Sequence, residues 1–600
     1  MRSHLRLPFI AFVVCGSLAI FSTGQTWAQV PPDQAADMLL SSARKAYNER
    51  NYPFAADRFR EYLQKFGGNS NAPSARYGLA LTLIEMPDRK YAEAADQLRQ
   101  IAGNKNLPEY PFVLYYLGLC KRAAGINELA QAQAKPNEAN QHRDAAKQRF
   151  TEAEQSFANA AQAFWAKVKI EADAKQPPIE MEWYCRSLCD QAEMELRLLK
   201  IKEARETAAV FRNDPTIARS RYFRLGQYYF GYASFLLHDY AAAARALNRQ
   251  DMFADAVFGT HARYLMGRIH QHDGELAEAG AAYDAVWNDY NKQKAAAVEA
   301  LKRPDTFRDN PEEKIRLELL VKTVPDHVQS ALFDAATLQY DGGKYGDAIA
   351  RFGEFAKQFP NSSRLPEAQL HIGFCQVQMK QFGDAINTLT PLPQKYPNLA
   401  DQALLWLAKA QAQNFDPNNP QAKVTALNTA IQTLKQAADR AGQMVNADPD
   451  AKFRRGEILL ELADTQLTAN QNREAIGVYE QIINEKALPD RAEEVAQRLA
   501  AAYHLVGDFA KSDQMCDKFL QEYPQSPLRP KVYFRKAENA YFTAINASKN
   551  PNLPNRAQEL AKLFDEAGKR FQFVIDKYPE FERISLARYS LAMTMIQKGE

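Results

Sequence analysis

Apolar residues recur along most of this chain at three- and four-residue steps, the spacing that lines up one face of an α-helix. The clearest stretch runs from Leu332 to Pro397 and reads LFDAATLQYDGGKYGDAIARFGEFAKQFP, a polar link, then QLHIGFCQVQMKQFGDAINTLTPLPQKYP. Tyr345 answers to Phe382, Asp347-Ala348 to Asp384-Ala385, Phe352 to Leu389 and Pro360 to Pro397, all at an offset of 37 residues. Each half holds two helical periods separated by a polar turn, which predicts a pair of helices. In the second half Gln369, Ile372, Gly373 and Gln376 share one face, and the small Gly373 admits a close neighbour. Phe382, Ala385 and Leu389 give the second helix its inward face, and Pro397 ends it for want of a backbone donor. One pair cannot cover its own apolar faces, so the pattern has to recur and stack.

It does recur. Asn51-Tyr52 with Ala55 and Phe59 is repeated by Tyr91, Ala94 and Leu98; Ile201 with Ala204 by Tyr240 with Ala243 and Leu276 with Ala279; Asn472, Ala475 and Tyr479 by Phe509, Ser512 and Cys516; Phe564, Ala567 and Phe571 follow. The rhythm loosens between Leu107 and Pro178, where Phe150, Ala153 and Phe157 suggest a pair with lengthened helices and Lys175 to Pro178 a loop. These shifts predict a leader at 1–28, amino-terminal repeats with a lengthened helical insertion at 29–174, central repeats at 175–290, a charged, Pro-containing insertion or hinge at 291–327, and further repeats at 328–600. The last unit reads as incomplete: Ile584 to Ile596 has the look of a first helix, Gly599 sits where Gly343 and Gly507 sit, and the next anchor falls beyond Glu600. The expectation is a piece of a longer protein.

The spacing resembles the tetratricopeptide repeat (TPR), with Gly373, Phe382, Ala385, Leu389 and Pro397 at matching places. The endings Phe359-Pro-Asn-Ser362 and Tyr523-Pro-Gln-Ser526 are similar to those of TPR proteins of bacterial cell envelopes, of the β-barrel assembly lipoprotein and Tol-Pal coordinator type. The resemblance implies an all-α fold, a TPR α-solenoid in which antiparallel helix pairs wind into a right-handed superhelix. It also implies a concave, partner-binding surface lined by the first helix of each pair. On that surface the resemblance places Tyr228, Tyr232 and Phe235 of the run YYFGYASF, and Tyr264, Arg268 and His272 of the next unit. Tyr and Arg concentrate binding energy where a groove desolvates them; the alternative is that these aromatics fill the core between repeats. The Lys/Asn clamp with which chaperone-binding TPR domains hold a carboxylate is not matched, since Phe333, Thr337 and Tyr340 stand there.

The first residues change the picture of compartment. Arg2 and Arg6, the apolar run Leu7 to Ile20 and Thr26-Trp27-Ala28 before Gln29 read as a cleavable export signal. The run is short and broken by Pro8, Gly16 and Ser17, and no later stretch could span a bilayer. Localisation is therefore expected to be periplasmic or otherwise outside the inner membrane. Losing Arg2 and Arg6 from 75 basic residues, against 72 acidic, leaves the chain within one charge of neutral. Such a chain offers no general field for nucleic acid.

Catalysis finds no motif. No GxxxxGK[ST], GxGxxG or GxSxG occurs. Cys185 and Cys189 lie one helical turn apart but lack a second pair of ligands, and read as buried thiols, as do Cys375 and Cys516. His270 and His272 point apart on a helix; with His261 and Asp273 they read as polar residues near a helix end rather than a metal site. The sequence therefore predicts no cofactor, no metal, no enzyme, and a scaffold whose partners are protein or peptide segments of envelope proteins. The alternative is a TPR arm attached to a catalytic or membrane domain beyond Glu600.

Overall fold

The computed structural model describes residues 31–169, 176–303, 307 and 311–598. The leader read at 1–28, Lys175 and Gly599 lie outside them. Regular structure among the described residues is helical throughout, with no strand. The chain divides into two compact units, one ending at Ala331 and one starting at Leu332.

The first unit contains α1 (Pro32–Asn48), α2 (Tyr52–Phe66), α3 (Ala72–Glu85), α4 (Tyr91–Arg99), α5 (Tyr110–Ala134), α6 (Ala139–Trp165), α7 (Ile179–Arg197), α8 (Ile201–Asn213), α9 (Phe223–Leu236), α10 (Tyr240–Leu247), α11 (Gln250–Phe253), α12 (Gly259–His272), α13 (Leu276–Leu301), α14 (Pro311–Lys322) and the start of α15 (Asp326–Asp341). The second takes up the rest of α15, then α16 (Tyr345–Gln358), α17 (Leu365–Gln378), α18 (Phe382–Leu389), α19 (Leu392–Lys395), α20 (Ala400–Gln413), α21 (Pro420–Met444), α22 (Ala451–Thr468), α23 (Asn472–Glu485), α24 (Ala492–Leu505), α25 (Phe509–Glu522), α26 (Arg529–Ser548), α27 (Arg556–Lys577) and α28 (Ile584–Lys598). Within each unit a helix packs chiefly on its neighbours in sequence, as a stack of hairpins must. Within 291–327 the described residues include the end of α13, α14 and the start of α15.

One small residue per pair sets the packing distance. In the first unit Ala55, Ala94, Ala204, Ala243 and Ala279, and in the second Ala348, Ala385, Ala475, Ser512 and Ala567, are all 0% exposed. Ser512 fits among the alanines because its hydroxyl donates to the Ala500 carbonyl at 2.7 Å. The first helix supplies the complementary gap: a Cβ on Gly373 would lie 2.4 Å from Leu389 Cδ2, and one on Gly267 2.6 Å from Tyr283 Cε1.

The turns repeat as well. In α17 the Gln381 N–H reaches the Gln376 carbonyl at 2.8 Å and the Lys380 N–H the Val377 carbonyl at 3.0 Å, a Schellman closure that forces Lys380 to φ 60°. Gly274, Gly343 and Gly507 occupy the same place at φ 79°, 70° and 77°. One helix differs from its reading: the segment from Phe382 to Tyr396 is broken, α18 ending at Leu389 and α19 starting at Leu392. Pro391 and Pro393 remove two N–H donors there.

Candidate partner-binding face

Several first helices carry half-buried aromatic and charged side chains that line up in a row, one row in each unit. In the first unit Gly231 packs on Leu247 and Gly267 on Tyr283, which fixes how α9 and α12 are rotated. That rotation brings Tyr228 and Tyr232 of α9 beside His261 and Tyr264 of α12. The Tyr228 hydroxyl lies 2.6 Å from His261 Nδ1, and the Tyr232 ring meets the His261 ring edge-on at 4.9 Å. The Tyr264 ring lies 6.4 Å from His261, and the Arg268 Nη1 donates to the Tyr264 hydroxyl at 3.2 Å.

The six residues expected on this face divide into two groups. Tyr228, Tyr232, Tyr264 and Arg268 form one contiguous patch. Phe235 and His272 form another, joined through Tyr240, whose ring is 5.6 Å from Phe235 and 4.2 Å from His272. Exposure separates roles within them. Tyr228 is only 9% exposed and stacks on Phe258 at 5.0 Å, so it fills the interior. Tyr232, Phe235 and Tyr264 are half-buried, and Arg268 and His272 are exposed.

In the second unit the corresponding row is Tyr340, His371, Phe374 and Trp406, all half-buried. Tyr340 stacks on His371 with centroids 4.7 Å apart, and Phe374 meets Trp406 edge-to-face at 4.4 Å. Burial holds the His371 imidazole below its ordinary pKa, so it is a neutral member of the row. Beyond Trp406 the row turns ionic: the Lys409 ammonium sits 5.0 Å above the indole and pairs with Glu461 of α22 at 2.8 Å. Arg498 of α24 pairs with Asp464 of α22, and Arg491, just before α24, with Glu457 at 2.7 Å.

Phe374 and Trp406 are not among the residues expected on this face, and His261 enters the sequence only as a candidate metal ligand. A signal for two of them was present. Phe374 follows the tightly packed Gly373 as Tyr232 follows Gly231 and Arg268 follows Gly267, and His261 precedes Tyr264 by one helical turn. Trp406 has no such glycine beside it; α20 buries alanines instead, Ala403, Ala408 and Ala410 all being 0% exposed.

Cys185 and Cys189 are buried free thiols, and burial raises Cys185 to about 12. Among the described residues no group of three His, Cys, Asp or Glu side chains could hold a metal ion. No helix among them is long and apolar enough to cross a membrane. What the rows offer is contact area: rigid aromatic surface interspersed with paired charges.

No curated protein matches the sequence. Among solved structures the chain is similar to yeast Tom70, at 14% identity and a TM-score of 0.27, over 83% of this chain and 99% of that one. It is also similar to Naa15/Naa10 bound to HypK-THB, at 13% identity and a TM-score of 0.30, over 94% of this chain and 92% of that one. Residues 330–362 and 367–399 each match the model of the tetratricopeptide repeat. With a buried small residue on the first helix (Ala336, Gly373), a left-handed turn (Gly343, Lys380) and a buried alanine on the second helix (Ala348, Ala385) in place there, these two segments are tetratricopeptide repeats, set in a chain whose regular structure among the described residues is helical.

Proposed function

We propose that this protein is an exported, non-enzymatic scaffold of the bacterial cell envelope that holds segments of other proteins along the first-helix face of its repeats. The observation that carries the reading is the row of half-buried aromatics on consecutive first helices, Tyr232 and Tyr264 in one unit and Tyr340, Phe374 and Trp406 in the other. Half-exposed rings on rigid helices lose little entropy on binding and gain area that water cannot match. Export is supported by Arg2, the apolar run after Arg6 and Thr26-Trp27-Ala28.

The test passes envelope extract over the immobilised full chain and over the Trp406→Ala and Tyr264→Ala variants, with helical content checked by circular dichroism. The reading expects a protein retained by the parent chain and reduced at least tenfold by one variant. Equal recovery by all three chains contradicts it.

A second reading keeps the repeats as the arm of a longer protein with a catalytic or membrane domain. Leu586, Tyr589 and Ile596 on α28 favour it, being 43%, 62% and 62% exposed on an apolar face that gains by being covered. The nucleotide sequence of the gene decides between the two.

A further inference from the structure

In the first unit, three first helices meet at two histidines. His261 of α12 and His327 at the start of α15 have ring centroids 5.0 Å apart. His261 Nδ1 is 2.6 Å from the Tyr228 hydroxyl of α9, and His327 Nε2 is 2.9 Å from the Thr260 hydroxyl of α12. The Tyr232 and Tyr264 rings close the sides at 4.9 Å from His261 and 6.5 Å from His327. Tyr264 is backed in turn by Tyr283 of α13 at 5.9 Å.

Among the described residues the ionisable groups in contact with these two rings are phenols and each other, with Arg268 held one step away on the Tyr264 hydroxyl. Burial raises Tyr228 and Tyr232 above the usual phenol value, so neither becomes an anion that could balance an imidazolium. The nearby Arg263 of α12 is engaged elsewhere, on Asp289 at 3.2 Å and over the Phe253 ring. A proton arriving here would meet a second imidazole at contact distance, no carboxylate partner among the described residues, and hydroxyls that have to accept, because an imidazolium can only donate.

We propose that the His261–His327 pair is an acid-sensitive joint: intact while both rings are neutral, it opens when the medium acidifies, separating α12 from the start of α15 and loosening the Tyr232–Tyr264 part of the aromatic face. The inference rests on this packing and not on the partner-binding reading. Its direction follows from linkage. Burial holds His261 down to about 4, and burial with the neighbouring His261 holds His327 down to about 3. The free imidazole titrates near 6.5, so between that value and the depressed ones the open form takes up more protons than the closed form. The joint is at full strength above about pH 6.5 and weakens as pH falls, by about tenfold in the opening equilibrium per histidine per pH unit.

Hydrogen–deuterium exchange on the intact chain tests this, reading both the histidine Cε1 positions and the backbone amides. From pH 6.5 to 5.5, after correction for intrinsic rates, amides of 259–272 and 326–331 are expected to exchange at least tenfold faster, while those of α22 do not change. The His327→Gln variant, which keeps a polar reach to Thr260 but cannot take the proton, is expected to lose about half of that acceleration on a logarithmic scale. Should that variant fail to fold, the parent chain suffices. Amides indifferent to pH over this range, or His261 and His327 titrating near 6.5 with α12 still protected, overturn the proposal.

Discussion

Leu199 sits in the turn between α7 and α8 at φ 59° and is 81% exposed. It holds the left-handed position that Gly274, Gly343 and Gly507 hold in other turns, without their freedom from a Cβ. That conformation costs a non-glycine residue about 1–2 kcal/mol, and the exposed side chain contributes no packing in return. Leu199→Gly is thus expected to stabilise the first unit by about 0.5 kcal/mol once the extra freedom of glycine in the unfolded chain is set against the gain, read as a rise in the denaturant midpoint. Gly373 predicts the opposite sign. A methyl there would meet Leu389, a residue 0% exposed with nowhere to retreat, so Gly373→Ala is expected to cost about 1–3 kcal/mol in chemical denaturation. Gly373, Ala385 and Leu389 could all be assigned from sequence, because their spacing repeats and only small or apolar side chains fit. Leu199 could not, since an apolar residue at a turn carries none of the marks, glycine, asparagine or a polar run, by which a turn shows in a sequence.

At the scale of helices, one polar contact stands out from the apolar stack. Asp401 opens α20 and is 0% exposed; Arg454 of α22 donates from Nε to its carboxylate at 2.7 Å and from Nη2 to Asp448 at 2.7 Å. Removing the cation would leave a buried, uncompensated carboxylate. Arg454→Leu is expected to cost about 3–5 kcal/mol, and Asp401→Asn placed in the same background to recover part of it. A cost below 1 kcal/mol would show that water reaches Asp401 and that the contact is a surface one. Helix boundaries were less legible than helix faces. The break at Pro391 follows from chemistry visible in the sequence, yet the apolar period runs on across it from Leu389 to Leu392 and conceals it. Within 291–327, read as a charged insertion or hinge, α14 shows little period in the sequence because apolar residues fall on its outer side as well: Ile315 and Leu319 are 52% and 61% exposed.

For the molecule as a whole, stacking by neighbours means that stability is assembled pair by pair within each unit, with little long-range cooperation to hide a local weakness. Gly373→Ala is accordingly expected to raise amide exchange in α17, α18 and their neighbours while α26 and α27 keep their protection; a uniform loss across the second unit would show a single cooperative core instead. The fold class was legible because the repeat writes it many times. The candidate face was legible only in part: Tyr232, Tyr264 and Arg268 follow from the register, whereas the joining of Tyr228 to His261 and of Phe374 to Trp406 depends on how successive pairs rotate, which no single pair encodes. That face is where partners are expected to sit. Photo-crosslinking residues installed one at a time at exposed positions of the full chain in its native cells test this most directly, at Arg268 and Gln378 on first helices and at Glu278, Lys357 and Lys518 on second helices. Protein adducts are expected from Arg268 or Gln378 and none from the other three; adducts confined to Glu278, Lys357 or Lys518 would put the partners on the second helices instead.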